Sequence, residues 1–254
     1  MSGNEEKITQ FLFNQIGLLK LAYIGIIRTI SIPTKKGLIK LKSAKDLEFL
    51  SEEDSRKKAD IYLNDKGVSI KQTGSSFSYN RLQRANLIEL FSELDLDNPV
   101  ERLVKLDEQI QFFHDGKLDR RNRPWEDFFS EQDFKILMEH LMMKSSPNVG
   151  ESVHQAEFVL EAPAFGISES NIKLFTFDEY FKRYKDKFKI AMRRQWVGQT
   201  SNSEHKRSLG LAKKQDNKKW VYTSISGKPR TGWNKKILAN KRRTVYFLMI
   251  EKER

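Results

Sequence analysis

The chain has 254 residues, 38% of them hydrophobic, with 13 glycines and 6 prolines, a composition that supports a buried core and excludes a disordered or collagen-like polypeptide. Cysteine is absent, which removes disulfides, thiol nucleophiles and thiolate zinc sites. The net charge of +12 is unevenly placed: residues 181–254 hold 22 Lys/Arg against 5 Asp/Glu, leaving −5 for residues 1–180, so the carboxy-terminal third attracts polyanions by counterion release and nucleic acid is the expected partner.

The opening MSGNEEKITQ is acidic where a secretory signal is basic. The apolar run FLFNQIGLLKLAYIGIIRTISI carries Asn14, Gln15, Lys20 and Arg28, so a bilayer span would bury charge. A cytoplasmic protein with no membrane partner is expected. Ile8, Phe11, Leu12 and Ile16 recur at helical spacing, predicting a buried helix that runs into a strand. GLIKLKS alternates as a strand, and residues 59–72 read as a β-hairpin. From SYNRLQRANLIELFSEL the period becomes helical, with Asn98-Pro99 at its end. VERLVKLDEQIQFFHDGK predicts a second helix. SEQDFKILMEHLMM predicts a third, with Ser130 and Asp133 in capping-box positions. Residues 145–176 read as loop and strand, TFDEYFKRYKDKFKIAMRRQ as a helix with a basic end, and KKWVYTSISG and RRTVYFLMIEK as strands. The expected class is α/β, bordering on α+β, with a central mixed β-sheet flanked by helices. A single domain over 1–254 is expected, containing a helix and hairpin core at 1–144 and a basic region at 181–254.

The hairpin concentrates the chemistry. With ADIYL and VSIKQ as strands and NDKG as the loop, the expected pairs are Leu63 with Val68, Tyr62 with Ser69, Ile61 with Ile70, and Asp60 with Lys71. Ile61, Leu63, Val68 and Ile70 then share one face, and Asp60, Tyr62, Ser69 and Lys71 the other. An isolated Asp/Lys cross-strand pair is ordinarily a structural ion pair. Here Ala59-Asp60 followed by Ser69-Ile70-Lys71 resembles the active-site signature of the PD-(D/E)XK nuclease superfamily. The next stretch, QTGSSFSYNRLQR, resembles the DNA-approaching segment of type II restriction endonucleases, the compact MspI-like group above all.

The resemblance implies a restriction-endonuclease-like fold and Mg²⁺-dependent hydrolysis of double-stranded DNA at a short specific sequence, by a monomer or homodimer with no nucleotide cofactor. It assigns Asp60 to the metal, Lys71 to the phosphate and transition state, and Ser69 to a supporting hydrogen bond. Ser69 stands where the family has a second carboxylate. The Ile70 carbonyl can serve as a metal ligand beside Asp60, Glu5 or Glu6 can complete the shell, or the protein binds DNA without cutting it. Expected DNA contacts are Gln72, Thr73, Ser75, Ser76, Asn80, Arg81 and Arg84 after the lysine. In the basic region they are Arg193, Arg194, Lys206, Arg207, Lys228, Arg230, Lys241 and Arg242. Trp196 and Trp233 fit either a core or a stacking role.

AYIGIIR resembles half of a GIY-YIG motif but lacks its upstream partner, so a buried strand is expected there. No phosphate-binding Gly-x-x-x-x-Gly-Lys loop exists, and the four histidines lack ligand spacing. A noncatalytic DNA-binding protein and a repair or recombination nuclease are the alternatives to a restriction enzyme.

Overall fold

In the computed structural model, residues 3–51, 57–74, 77–83, 86–114, 117, 122–146, 150–196 and 244–252 are described. In chain order the elements are α1 (Asn4–Asn14), β1 (Lys20–Leu21), β2 (Gly25–Ile26), β3 (Ile30–Thr34), β4 (Gly37–Lys40), β5 (Ile61–Leu63), β6 (Lys66–Gln72) and β7 (Phe77–Gln83). There follow α2 (Leu87–Glu93), α3 (Pro99–His114), β8 (Asn122–Pro124), α4 (Glu131–Glu139), β9 (Ser145–Ser146), β10 (Gly150–Glu151), β11 (Phe158–Ala162), β12 (Lys173–Thr176), α5 (Phe177–Tyr184), β13 (Phe188–Trp196) and β14 (Thr244–Lys252). The class is α/β, with a mixed six-stranded sheet flanked by helices. No helix among the described residues is long and apolar enough to cross a membrane.

Two compact units divide the chain: residues 1–77, 135–187 and 252–254 form the first, and residues 78–134 and 188–251 the second. The first holds the six-stranded sheet, ordered β12-β11-β6-β5-β3-β4. Its pairings are antiparallel except between β6 and β11, where Ser69 faces Val159 and Lys71 faces Glu161 in parallel register. Alternation along the central strands sends Val68, Ile70, Leu160 and Ala162 to one side, together with Ile61 and Leu63, where they join Ile8 and Leu12 of α1 in one core. Complete burial of Ile8 and Leu12 contributes about 1.5–3 kcal/mol each. The other side of the sheet carries Ser69, Lys71 and Glu161, and Glu161 meets Tyr184 of α5.

The amino-terminal helix is shorter than its apolar run. It closes at Asn14, because Gly17 (φ 84°), Tyr23 (φ 61°) and Gly25 (φ 77°) take left-handed conformations that build the β1–β2 hairpin. AYIGIIR is therefore mostly hairpin, not a continuous buried strand.

The second unit holds a sheet ordered β7-β14-β13-β8. Two helical expectations fail here. Residues 77–83 form β7 before the chain turns helical at Leu87, and residues 188–196 form β13 after α5 ends at Tyr184. Periodicity of 3.6 and of 2 overlap in short mixed runs, and pairing partners distant in sequence decide between them. The core of this unit stacks Trp125 on Phe134 (4.5 Å, 3°) and sets Phe91 edge-on to Phe129. Ser130 does cap α4 through its bond from Asp133 N (3.1 Å), but the Asp133 carboxylate turns to the buried Arg102 instead of closing the box. RRTVYFLMIEK is a strand as expected, while KKWVYTSISG lies outside the described residues.

Candidate active site

The β5–β6 hairpin turns more tightly than NDKG suggested. Asn64 (φ 46°) and Asp65 (φ 68°) are both left-handed and form a two-residue turn of the type that matches strand twist. Asn64 is suited to it twice over. It tolerates positive φ, and its side chain accepts from Arg28 N (2.7 Å) and Thr29 N (3.1 Å) and donates to Ile26 O (2.7 Å). Lys66 and Gly67 therefore belong to β6, and the register is Ile61 with Val68, Tyr62 with Gly67, Leu63 with Lys66. This moves every expected pair by two positions. A shift of two preserves the faces, so Asp60, Ser69 and Lys71 still look the same way, but Asp60 stands beside Ser69 and not across from Lys71.

Gly67 is required by what lies over it. A Cβ at this position would meet the Gln155 carbonyl oxygen at 2.2 Å. That close approach lets residues 154–157 clasp the hairpin: Lys58 N and Ala59 N donate to His154 O (2.9 Å each), and Glu157 N donates to Gly67 O (2.7 Å). Tyr62 OH and His154 Nδ1 lie 3.2 Å apart, which fixes the ring over the same strand pair.

On this frame the three residues form a relay. Asp60 Oδ2 accepts from Ile70 N (2.6 Å) and from Ser69 Oγ (3.3 Å). Lys71 Nζ donates to Ser69 Oγ (2.7 Å) and Ile70 O (3.1 Å). The ammonium and the carboxylate thus communicate through one hydroxyl rather than as a direct cross-strand ion pair. No hydrogen bond to Asp60 Oδ1 is made among the described residues.

Charges around the relay are closely interlocked. Glu5, in the first turn of α1, keeps solvent access as a residue, yet desolvation of its carboxyl and then the Asp60 charge hold it above the usual carboxylate range, against Lys71 and Lys57. Lys58, two residues before Asp60, donates to Leu141 O at 2.9 Å. Burial, reinforced by the Lys71 charge and opposed by Asp60, lowers its pKa to about 8. Leu141 belongs to a π-helical turn, His140–Lys144, that continues α4. Burial and then the Lys58 and Lys144 charges push His140 below its ordinary value, against Glu151.

Beside Lys71, Glu161 is 2% exposed and fully engaged: it accepts from Tyr184 OH and, at 3.2 Å, from Lys252 Nζ. Lys252 also donates to Tyr180 OH (3.2 Å) and sits 3.9 Å from the centre of the Tyr184 ring. Burial lowers the Lys252 pKa, and Glu161 opposes the shift.

Of the expected site residues, Asp60, Ser69, Ile70 and Lys71 come together, with Glu5 electrostatically linked to them. Gln72 lies on the opposite face of β6 from Lys71 and accepts from Asn4 Nδ2. Thr73 N donates to Ala162 O (2.9 Å), and its side chain is exposed. Asn80 and Arg81 lie on β7 and Arg193 and Arg194 on β13, in the second unit. Ser75, Ser76, Arg84, Lys206, Arg207, Lys228, Arg230, Lys241 and Arg242 lie outside the described residues. Sequence reading passed over Lys58, Glu161 and Lys252. The available signals were the single charge inside the apolar run FVLEA for Glu161, the charges that close the apolar run FLMIEK for Lys252, and i, i+2 spacing from Asp60 for Lys58.

A hard divalent cation that retains several waters needs only one or two carboxylates from the protein. Asp60 Oδ1 and the Ile70 carbonyl, with Glu5 as a second carboxylate, fit that oxygen donor set. Among the described residues no group of three or more Asp, Glu or His side chains gathers as a preformed cage. Comparison of the chain with protein-family models, curated proteins and solved structures returns no match.

Proposed function

We propose that the protein is a metal-dependent endodeoxyribonuclease, a cytoplasmic type II restriction endonuclease that hydrolyses double-stranded DNA at a short specific sequence. The observation that carries this reading is the Asp60–Ser69–Lys71 relay. It presents a carboxylate and an ammonium on one face of adjoining strands, with the Ile70 carbonyl beside both.

Asp60 and the Ile70 carbonyl would hold Mg²⁺, and Glu5 would supply the second carboxylate that Ser69 cannot. When bound, the cation acts as a Lewis acid on the phosphodiester and lowers the pKa of a water. Lys71, a compact cation that swings on a flexible stem, moves from Ile70 O to a phosphate oxygen and offsets the charge that grows there in the transition state. Ser69 keeps its bond to the ammonium and so aims it. The depressed pKa of Lys58 keeps a second amine half-charged near pH 8 at the edge of the site. The basic region supplies the phosphate grip, and its Arg, Asn and Gln side chains the base readout.

A noncatalytic DNA-binding reading rests on one observation: without three gathered carboxylates or imidazoles among the described residues, the Lys71 bonds to Ser69 and Ile70 serve equally as hairpin fastening. The two separate in one experiment. DNA of known sequence is incubated with the protein with and without Mg²⁺, and the ends are mapped. Discrete fragments sharing one terminal sequence, formed only with Mg²⁺, support the restriction enzyme. Scattered or structure-dependent ends indicate a repair nuclease, and intact DNA that is nevertheless retarded in a gel indicates the binding protein.

A further inference from the structure

A cavity of the first unit lies between the β1–β2 hairpin and the β12–α5 segment, lined by none of the relay residues. Its volume is about 700 Å³, within the range of small-ligand sites. Leu21, Ile172 and Leu174 are buried beneath it, and half-buried Phe175 lines it.

Tyr23 lines the same space while 56% exposed, on the left-handed backbone of the hairpin. It is held on two sides. One ring face stacks on Phe158 at 5.6 Å and 10°, and the hydroxyl donates to Glu179. The other ring face meets no ring or cation among the described residues. Glu179 also accepts from Thr176 N (2.9 Å) as the third residue of the α5 capping box, so both carboxylate oxygens are occupied within the protein. Lys20, Lys173 and Lys182 line the cavity, are exposed, and make no ion pair among the described residues. Arg183 is already placed, its guanidinium 5.8 Å from the Phe175 ring and its Nε donating to Tyr184 OH (3.2 Å). Glu169 is the remaining acid of the lining.

An open, braced aromatic face over an apolar floor, ringed by ammonium groups that make no ion pair among the described residues, suits a planar ring that carries an anion. An acidic peptide would satisfy the lysines and leave the ring unused. We propose that this cleft binds a nucleotide, its base stacked on Tyr23 and its phosphate held by Lys20, Lys173 and Lys182, either as a free mononucleotide or as one unit of a single strand.

The test uses the full chain in EDTA, so that hydrolysis at the Asp60 centre plays no part and the two sites stand or fall separately. The probes are 5-iodo-deoxyuridine 5′-monophosphate and a 5′-phosphorylated thymidine tetramer carrying one 5-iodouracil. Photocrosslinking of either is expected on the tryptic peptide 21–28, which contains Tyr23. Tyr23→Leu should weaken binding about 10-fold, whereas Tyr23→Phe, which keeps the ring, stays within about twofold. Lys173→Gln and Lys182→Gln should each reduce the salt dependence of tetramer binding by about 0.7 in the log–log slope. Crosslinking by the mononucleotide identifies a free nucleotide, and crosslinking by the tetramer alone identifies a single strand. Adducts confined to other peptides, or a Tyr23→Leu protein that binds as tightly as the parent, would overturn the proposal.

Discussion

Ser69 is the residue on which the relay turns. Its hydroxyl accepts from Lys71 Nζ and donates to Asp60 Oδ2. On the proposed nuclease activity, Asp60→Asn and Lys71→Met should each lower Mg²⁺-dependent cleavage by about 10²-fold or more, the loss seen when a charge-stabilising group is removed from a preorganised site. Duplex binding in a gel-shift titration should change little. Equal loss of binding in both variants would show that they act through the fold.

Lys58 gives the site a pH signature whose sign follows from burial. Its folded pKa, about 8, lies below its ordinary 10.5, so between these values the unfolded chain holds more protons than the folded one. The Lys58 contribution therefore penalises folding below pH 8 and is relieved as pH rises from about 8 to 10.5. Urea unfolding of the parent and of Lys58→Met across this range should show the parent gaining stability relative to the variant. A constant difference would contradict the shift.

At the scale of the element, the hairpin is specified by two small features. The Asn64-Asp65 pair sets a two-residue turn, and Gly67 admits the segment that clasps it. Gly67→Ala places a methyl group against the Gln155 carbonyl, in the segment whose His154 O and Glu157 N are bonded to the hairpin. A cost of about 1–3 kcal/mol is expected, typical of overpacking, measured as a lower denaturation midpoint with an unchanged slope. Because the displaced segment carries His154, the Tyr62–His154 contact should loosen as well, visible in the imidazole resonances.

Across the whole molecule, the Glu161–Lys252 pair ties residue 252 to strand β11 within the first unit. Both side chains are 3% exposed, and tyrosine hydroxyls bond to each: Tyr184 OH to Glu161 and Tyr180 OH to Lys252. Removing one partner strands the other charge in a dry site. Glu161→Leu and Lys252→Met should each destabilise by about 3–5 kcal/mol, and the two combined by clearly less than their sum. A double-variant cycle by chemical denaturation reads the coupling directly. Additive losses would mean that the pair contributes no more than two separate surface charges.

The amino-acid order by itself determined the composition of the core, the α/β class and the membership of the hairpin faces. Those depend on local alternation, and a strand sends Asp60, Ser69 and Lys71 to one side in any register shifted by an even number. It also marked the charge asymmetry, which is a sum over residues and needs no coordinates. Only the tertiary structure decided which residues of those faces touch. The register moved by two because the turn chose Asn64-Asp65, and that choice depends on Asn64 bonding to residues 26, 28 and 29. The strand character of 77–83 and 188–196 likewise came from partners far along the chain. Glu161 and Lys252 are 91 positions apart. Nothing in the sequence of either announces the other, because burial of a charge is settled by whichever opposite charge the folded chain brings within reach.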